Sequence, residues 1–389
     1  MKRQPNGESG FTIVELLVAT LILAAVFVFF LNLLEGTSTV ATAQNDLADV
    51  SETLRFTVEE LVRIVRMAGT GGLPLLAPGP GGGMNVLAVD VQDNVADGAA
   101  VFDGLEALEG TDVLTLRGVI TGELYDVVGA GDITDLGGGT SYRVTVDPVS
   151  PYSGQAHELV TPPVGTPVLF SSKWELPVTL GSGQVRYFNK YNIGLVTAAS
   201  LDDSDPNAPL ILDLKTSGSN DAENEILALN EDGTFQPFQN EFIIAIGFLD
   251  DMVFFISENS EGEPALFLYT RSDDTAIELV PGIRSLQVAL GCDVSPTDGQ
   301  LAELGQSADD DEWFFNVPGD RAPTAVEIGA LHEVRISVVA RSASPDPRWT
   351  ERLDMPENAP ALEADELEFR HRSVSVQVTV RSHPPLETT

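Results

Sequence analysis

Apolar residues are concentrated near the amino terminus, in the stretch GESGFTIVELLVATLILAAVFVFFLNLL at positions 7–34. Between Leu16 and Leu31 the run is interrupted only by Thr20. An apolar run of this length is typical of a helix that spans a membrane. Glu15 is an exception in this pattern, because a carboxylate inside a bilayer costs about 2.5–3.5 kcal/mol on insertion scales. We therefore expect Glu15 to have a partner of opposite charge.

The helical pattern continues beyond the apolar run but becomes amphipathic. Apolar residues recur at spacings of three and four and form one stripe: Leu47, Val50, Leu54, Val58, Leu61 and Val65. No proline interrupts positions 11–68, and Gly69 suits a left-handed helix cap. The pattern predicts one helix over 11–68, roughly 87 Å long at 1.5 Å per residue. Residues 11–34 form its transmembrane half, and residues 35–68 form an amphipathic half that docks on a globular domain.

The remaining residues, 69–389, have the pattern of a β-rich domain. The breaker-rich segment at 71–83 predicts a loop, and a phosphate-binding loop is disfavoured because no Gly-Lys-Ser/Thr follows it. Runs of β-branched and aromatic residues between turn residues predict strands at 112–119, 141–147, 167–172, 242–248, 252–257, 265–270, 285–291, 333–342 and 374–380.

The last of these strands has the clearest alternation. The valines at 374, 376, 378 and 380 face one way and polar residues face the other, which is typical of an antiparallel strand with one buried face. The acidic stretches at 200–235, 295–330 and 343–366 are predicted to be loops. The predicted fold class is therefore α+β: a long amino-terminal helix docked on a large, antiparallel β-rich domain.

Two interpretations of the amino terminus depend on the apolar run alone. A secretory signal peptide would use Lys2 and Arg3 as its positive region and residues 41–43 as its cleavage site, but the run is too long and that site lies well beyond it. A plain membrane anchor would keep Lys2 and Arg3 in the cytoplasm by the positive-inside rule. Neither interpretation accounts for Glu15 or for the glycine at position 10.

The residues around Glu15 favour a third interpretation. A short polar leader ends at Gly10, the sequence Phe-Thr-Ile-Val-Glu follows at 11–15, and the apolar helix begins. This order resembles the class III signal of type IV prepilins. The resemblance implies that a prepilin peptidase removes residues 1–10 by cutting between Gly10 and Phe11, and that Phe11 is then N-methylated. In a filament, Glu15 of one subunit would pair with the Phe11 amine of its neighbour, which would offset the desolvation of both groups and set the axial register.

Further segments narrow the resemblance to minor pilins of the PilW type. Residues 54–72 look like the stem end of these proteins, and residues 110–118 look like their first strand. The later segments that resemble the family are 280–293, Trp313 in the following loop, 332–342 and 374–382.

The chain also departs from the family in several places. Between residues 120 and 240 the sequence resembles the family only weakly. Gly72 and Leu73 occupy positions near the stem end where the family has cysteines. Asn32 occupies the place where many major pilins have a proline, and the globular part is larger than theirs. The last two differences favour a minor pilin.

The resemblance implies a protein that is not an enzyme and takes part in type IV pilus assembly. Its expected partners are the prepilin peptidase, other major and minor pilins, the inner-membrane assembly platform, and membrane lipid before assembly. It would cross the inner membrane once, with its carboxy-terminal domain in the periplasm, and reach the cell surface in the pilus. The alternatives are a pseudopilin of a type II secretion system and a membrane-anchored periplasmic enzyme or receptor domain.

Charge limits the choice of partners. The chain has 59 acidic and 21 basic residues, a net charge of −38, so binding to nucleic acid through net charge is not expected. Cys292 is the only cysteine, which excludes an intrachain disulfide, and it is expected to be a small buried hydrophobe.

The motifs predict no catalytic, cofactor or metal site. The four histidines form no ligand pattern: His157, His332, His371 and His383. Asp203, Asp205 and Asn207 alternate as in a calcium loop, but Ala208 replaces the turn glycine and Leu214 stands at the position of the bidentate glutamate. We therefore interpret this segment as a solvated acidic loop.

Overall fold

The computed structural model describes residues 13–78, 84–127, 133–150, 154–179, 185–202, 204–205, 207–230, 244–271, 273–294, 301, 312–317, 320–346, 349, 353–364 and 366–380. Among these residues the chain forms one long helix and three larger antiparallel sheets, with two short strand pairs. The predicted α+β class, a long amino-terminal helix with a large antiparallel β-rich domain, is confirmed at this level.

Helix α1 runs without interruption from Ile13 to Val65. Its 53 residues correspond to about 80 Å at 1.5 Å per residue. The predicted end at position 68 is three residues too late. After Val65 the backbone tightens, since the amides of Met67 and Ala68 donate to carbonyls only three residues back, at 2.9 and 3.1 Å. The amide of Gly69 then leaves the helix and donates to the carbonyl of Arg117 at 2.9 Å.

Twenty strands follow α1 in the described parts of the chain. Numbered in chain order they are β1 Leu76–Pro78, β2 Met84–Val86, β3 Val89–Gln92, β4 Val101–Phe102, β5 Leu105–Glu106, β6 Val113–Gly118, β7 Tyr125–Val127, β8 Ile133–Asp135, β9 Ser141–Val146, β10 Pro167–Thr179, β11 Val185–Ser200, β12 Leu210–Lys215, β13 Ile244–Phe248, β14 Asp250–Glu258, β15 Pro264–Thr270, β16 Thr275–Pro281, β17 Ile283–Cys292, β18 Trp313–Phe314, β19 Leu331–Arg341 and β20 His371–Thr379. Short helices α2 (Asp221–Leu227) and α3 (Ala325–Ile328) and a 3-10 turn at Glu366–Glu368 complete the described elements.

Two sheets pack against the buried face of the second half of α1. One has the strand order β16-β15-β14-β6-β3, and the other has the order β18-β17-β19-β20. Helix α1 packs mainly on β19 and β20 and also touches β16. Apolar side chains from the helix and both sheets form one continuous core, so the amphipathic half of α1 is part of the hydrophobic centre of the domain.

The third sheet is inserted in the chain between β6 and β14. Its strand order is β7-β13-β10-β11-β12-β9-β8, and β7 also lies near β9, so the sheet curls around its own apolar cluster. Its opposite face packs on the segment that follows α1, including Leu73, Ala77 and Leu87.

This insertion corrects the prediction for residues 200–235. Strand β12 and helix α2 lie within the stretch that was predicted to be acidic loop. Leu210, Leu212 and Leu214 are buried on one face of β12, and the side chain of Asn220 caps α2. The leucines of β12 alternate along the strand, but the stretch is short and acidic residues surround it, so the sequence pattern favoured a loop.

The other two predicted loops are also partly ordered. Strand β18 and helix α3 lie within 295–330, and the 3-10 turn begins within 343–366. By contrast, the nine predicted strands each coincide with an observed strand. Their ends shift by at most three residues, except that β10 runs to Thr179 and not to position 172. In the last one, Val378 is buried but Val374 is 39% exposed, because β20 begins near the place where α1 leaves the domain.

Candidate functional site

The first half of α1 is an apolar surface that the rest of the described chain does not cover. Every side chain from position 13 to position 42 is exposed. The helix is long and apolar enough to cross a membrane, and none of its most apolar stretch is buried. The hydroxyl of Thr20 donates to the carbonyl of Leu17 at 3.0 Å, so this polar group is satisfied within the helix itself.

Glu15 lies in the first turn of α1, at an exposed position. Gly10 and Phe11 lie outside the described residues. Cleavage between them and the pairing of Glu15 with the Phe11 amine of a neighbour therefore stay predictions. The helical start that these predictions require is present from Ile13 onward.

The second half of α1 docks through the predicted stripe. Of the six stripe residues, Val50, Leu54, Leu61 and Val65 are buried, while the other two are partly buried. The structure adds Ile64 and Thr57 to the buried face, and the Thr57 hydroxyl donates to the carbonyl of Thr53 at 2.8 Å. Phe56 points away from the core and is 58% exposed.

Ion pairs of one arginine connect the middle of α1 to the carboxy-terminal part of the domain. The guanidinium of Arg370 lies between Asp46 of α1, at 3.5 Å, and Asp346, to which it donates a short hydrogen bond. It also stacks over the ring of Trp349, with 5.5 Å between its central carbon and the ring centroid. The side chain of Arg370 is only 8% exposed, so this is a largely desolvated ion pair rather than a surface one.

A second buried ionic cluster lies next to the ion pairs of Arg370. The carboxylate of Glu366 meets Arg284 of β17 at 3.2 Å, Arg341 of β19 at 2.8 Å and His371 of β20 at 3.4 Å. Burial alone would raise the pKa of Glu366, but the hydrogen bond with His371 and the two arginine charges lower it below its usual value. Sequence reasoning missed both clusters, because their members lie far apart in the chain and follow no local pattern.

The turn that ends α1, within the segment 54–72, contacts Val119, the residue that directly follows the segment 110–118. The hydroxyl of Thr70 donates to the carbonyl of Val119 at 2.7 Å, and the amide of Val119 donates to the carbonyl of Thr70 at 2.9 Å. Gly71 has a φ of +86°, and a Cβ there would lie 2.6 Å from a methyl carbon of Val119. A side chain is therefore excluded at position 71 by both conformation and space.

The cysteine and the three histidines among the described residues are buried or partly buried. Cys292 is fully buried in β17, and burial is the main cause that raises its pKa to about 12, so it is a thiol and not a nucleophilic thiolate. Among the described residues there is no group of three or more His, Cys, Asp or Glu arranged to hold a metal ion. His383 lies outside these residues.

The segment with calcium-like alternation is only partly described, since Asp203 lies outside the described residues. Asp205 accepts a hydrogen bond from the backbone amide of Asn207 at 2.9 Å, and Asp202 caps Ser204 in the same manner at 3.0 Å. These are local turns formed by aspartate side chains, as expected for an acidic surface loop.

Comparison with known proteins does not assign the chain to a family. It matches no protein-family model, no curated protein and no solved structure.

Proposed function

We propose that this chain is a minor pilin of the PilW type, which a prepilin peptidase processes and which takes part in type IV pilus assembly. The observation that carries the proposal is the division of α1. One uninterrupted helix has an apolar half whose side chains are all exposed and a second half that belongs to the core of a β-rich domain. The predicted cleavage signal lies directly before this helix.

This architecture suits a filament subunit better than a simple anchor. An anchor requires only an apolar span, and a loose linker would serve to join it to its domain. Here the helix passes from the exposed half into the core without a break at Gly36, so the position of the apolar half is rigidly coupled to the domain. The apolar half is hydrophobic all round, which suits either lipid or the helices of neighbouring subunits.

The proposed mechanism is assembly without turnover. Removal of residues 1–10 would leave a charged amine on Phe11, close to Glu15 at the start of the helix. The proposed partners are the prepilin peptidase, other pilins and the inner-membrane assembly platform, with membrane lipid around α1 before assembly. A type II secretion pseudopilin would use the same signal and helix, so the assignment to a pilus requires an experiment in the native host.

The first test is amino-terminal analysis of protein from that host. We expect intact mass to show the loss of residues 1–10 and the gain of one methyl group. Gly10→Val should accumulate as the uncut form, while Gly7→Val, a matched change inside the leader, should still be cut. A mature chain that begins after Ala43 would contradict the proposal and support a secretory signal peptide.

The second test separates the pilus from the secretion filament. We expect a chromosomally tagged chain to be found in sheared pili at a low ratio to the major subunit, and its deletion to reduce the number of pili. Loss of protein secretion with normal piliation would instead assign the chain to a type II secretion system.

A further inference from the structure

Strand β20 has one edge that pairs with no other strand among the described residues. The four-stranded sheet has the order β18-β17-β19-β20, so β20 is its last strand and its partner is β19. The nine residues of β20 pair with β19 without a register shift. A regular edge of this length presents a row of backbone groups with which another strand can pair.

The hydrogen bonds at the two ends of β20 show which backbone groups this edge presents. At one end the amide of Val380 donates to the carbonyl of His332 at 3.1 Å. At the other end the amide of Ser342 donates to the carbonyl of Arg370 at 2.9 Å. In an antiparallel pair such bonds recur at every second residue, so the even-numbered residues of β20 direct their N–H and C=O groups towards β19. The odd-numbered residues direct theirs towards the free edge: His371, Ser373, Ser375, Gln377 and Thr379.

The groups at the free edge are open to a partner. Within the part of the chain that the structure describes, the backbone groups of residues 373, 375, 377 and 379 that point to this edge have no hydrogen-bond partner. The side chains of the same four residues are exposed. The edge therefore offers alternating donors and acceptors that an extended polypeptide satisfies.

The other free edges among the described strands are short or blocked. In β16, at the end of the five-stranded sheet, the register shifts between the partners of Leu266 and Phe267. The amide of Ala276 in this strand donates to the carboxylate of Asp103 at 3.1 Å, and the strand ends at Pro281. Every other described edge strand has four residues or fewer. Bulges, prolines, charges and short length protect sheet edges from pairing, and β20 contains no bulge, proline or acidic residue.

A second copy of this chain does not fit the edge of β20. Asp46 of α1 lies beside Arg370, and Ser51 of α1 accepts a hydrogen bond from Arg372, so α1 and β20 run in the same direction. Antiparallel pairing of two β20 strands would therefore set the α1 helices of the two copies in opposite directions. Two helices that enter one membrane from the same side exclude that arrangement, and parallel pairing is less stable per residue.

The side chains of β20 indicate the chemistry of the partner. Arg372 is exposed, and it forms no ion pair within the described residues. Val374 follows it on the same face of the strand and is 39% exposed. Opposite charges and apolar side chains on neighbouring strands stabilise a sheet when they lie side by side. A strand added at this edge would therefore bring an acidic side chain to Arg372 and an apolar one to Val374.

We propose that the free edge of β20 binds an extended segment of a different pilus subunit, which pairs antiparallel with β20 and carries a carboxylate opposite Arg372. This inference rests on the proposed function, because that function supplies the neighbouring subunits. In strand addition the main-chain hydrogen bonds give affinity and the side chains give specificity. The added strand would connect the two globular domains close to the point where α1 leaves the core.

The test is photocross-linking in the native host, with a benzophenone amino acid in place of Gln377 in the full-length chain. We expect one adduct with a different pilin, and mass spectrometry should locate the cross-link in an extended segment that contains an acidic residue. Three outcomes would overturn the proposal: an adduct with a second copy, an adduct within the chain to residues 381–389, or no adduct in assembled pili.

A proline variant tests the backbone pairing. Ser373→Pro removes an N–H group that points to the free edge, where proline is tolerated in an edge strand. It should reduce the adduct by about fivefold or more, because one hydrogen bond is lost and the ring obstructs the added strand. Ser373→Ala keeps the N–H group and should give the wild-type amount of adduct. An unchanged adduct in Ser373→Pro would overturn strand addition.

A charge variant tests the choice of partner. Arg372→Glu should reduce the adduct, whereas Arg372→Lys should retain most of it. An unchanged adduct in Arg372→Glu would overturn the carboxylate partner. Thermal unfolding of each purified variant in detergent should match the wild type, which separates lost pairing from misfolding.

The same samples distinguish failure of this inference from failure of the proposed function. A chain that is cleaved after Gly10 and found in sheared pili, but gives no adduct, would overturn strand addition alone. A chain that is absent from pili would overturn both.

Discussion

The guanidinium of Arg370 lies 3.5 Å from the carboxylate of Asp46, although 324 positions separate the two residues in the sequence. Asp46 lies on α1 just before the helix enters the core at Val50. Arg370 lies immediately before β20, the strand against which this part of the helix packs. The pair therefore fixes the helix to the domain at the point where the exposed half and the docked half meet.

We expect Arg370→Ala to reduce the free energy of unfolding by about 3 kcal/mol. Removing one partner from a buried ion pair typically costs about 3–5 kcal/mol, and the low end applies because Asp46 and Asp346 retain some contact with water. Guanidinium denaturation of the full-length protein in detergent measures the change. Arg372→Ala is the matched control, since Arg372 is exposed and donates a hydrogen bond to the hydroxyl of Ser51 on α1 at 3.2 Å. Equal effects of the two variants would contradict a special role for Arg370.

The two faces of the stem should respond differently to truncation. Leu61→Ala removes a side chain that is 1% exposed and should cost about 2–5 kcal/mol, through lost burial and the cavity it leaves. Phe56→Ala removes a larger apolar side chain five residues earlier, but that side chain is 58% exposed, so the change in stability should stay within about 0.5 kcal/mol. The same denaturation experiment measures both. If Phe56→Ala is the more destabilising variant, the helix docks in a different orientation.

The Glu366 cluster should make stability depend on acid pH. The pKa of Glu366 is lowered in the folded protein, so its contribution is present above the unfolded pKa of about 4.5 and is lost as the pH falls through the folded value. We therefore expect Glu366→Gln to be less stable than the wild type near pH 6, and the difference between the two to shrink as the pH falls below about 4.5.

Thermal unfolding midpoints between about pH 3 and pH 6 measure this difference, and they span the titration of glutamate. Glu363→Gln removes an exposed carboxylate from the same segment and serves as the control, with a small and constant difference from the wild type expected. A pH-independent gap between the wild type and Glu366→Gln would mean that the charge of Glu366 does not matter to the cluster.

Glu15→Ala should impair assembly and leave processing and folding intact. Gly10 is unchanged in this variant, and loss of a charge makes membrane insertion easier. In a filament the variant would leave the amine of Phe11 buried without its partner, at a cost of about 3–5 kcal/mol. Fractionation of cells should then find the mature chain in the inner membrane and little of it in sheared pili. Glu35→Ala, an exposed glutamate further along α1, should enter pili normally. Normal incorporation of Glu15→Ala would refute the pairing hypothesis.

Features that depend on neighbouring residues could be predicted from the sequence. The long apolar run and the stripe from Leu47 to Val65 specified one helix with two different halves, because helix periodicity is set within a few residues. The alternation at 374–380 predicted the last strand for the same reason. The end of the helix was misplaced by three residues, since the tight turn after Val65 depends on a hydrogen bond from Gly69 to a strand some fifty positions away.

Features that depend on distant residues were decided only by the tertiary structure. In the curled sheet between β6 and β14, several paired strands are far apart in the sequence, so local patterns do not predict the pairing. The alternation in β12 was not recognised because acidic residues surround this short strand. The contact of Arg370 with Asp46, and that of Glu366 with Arg284, join residues with no local relationship, because charge and hydrogen-bond partners are selected by which surfaces meet after the sheets have packed. The predicted processing signal is the opposite case. It lies within fifteen consecutive residues, so the sequence alone carries that prediction, while tertiary packing determined which half of the following helix is buried and which stays exposed.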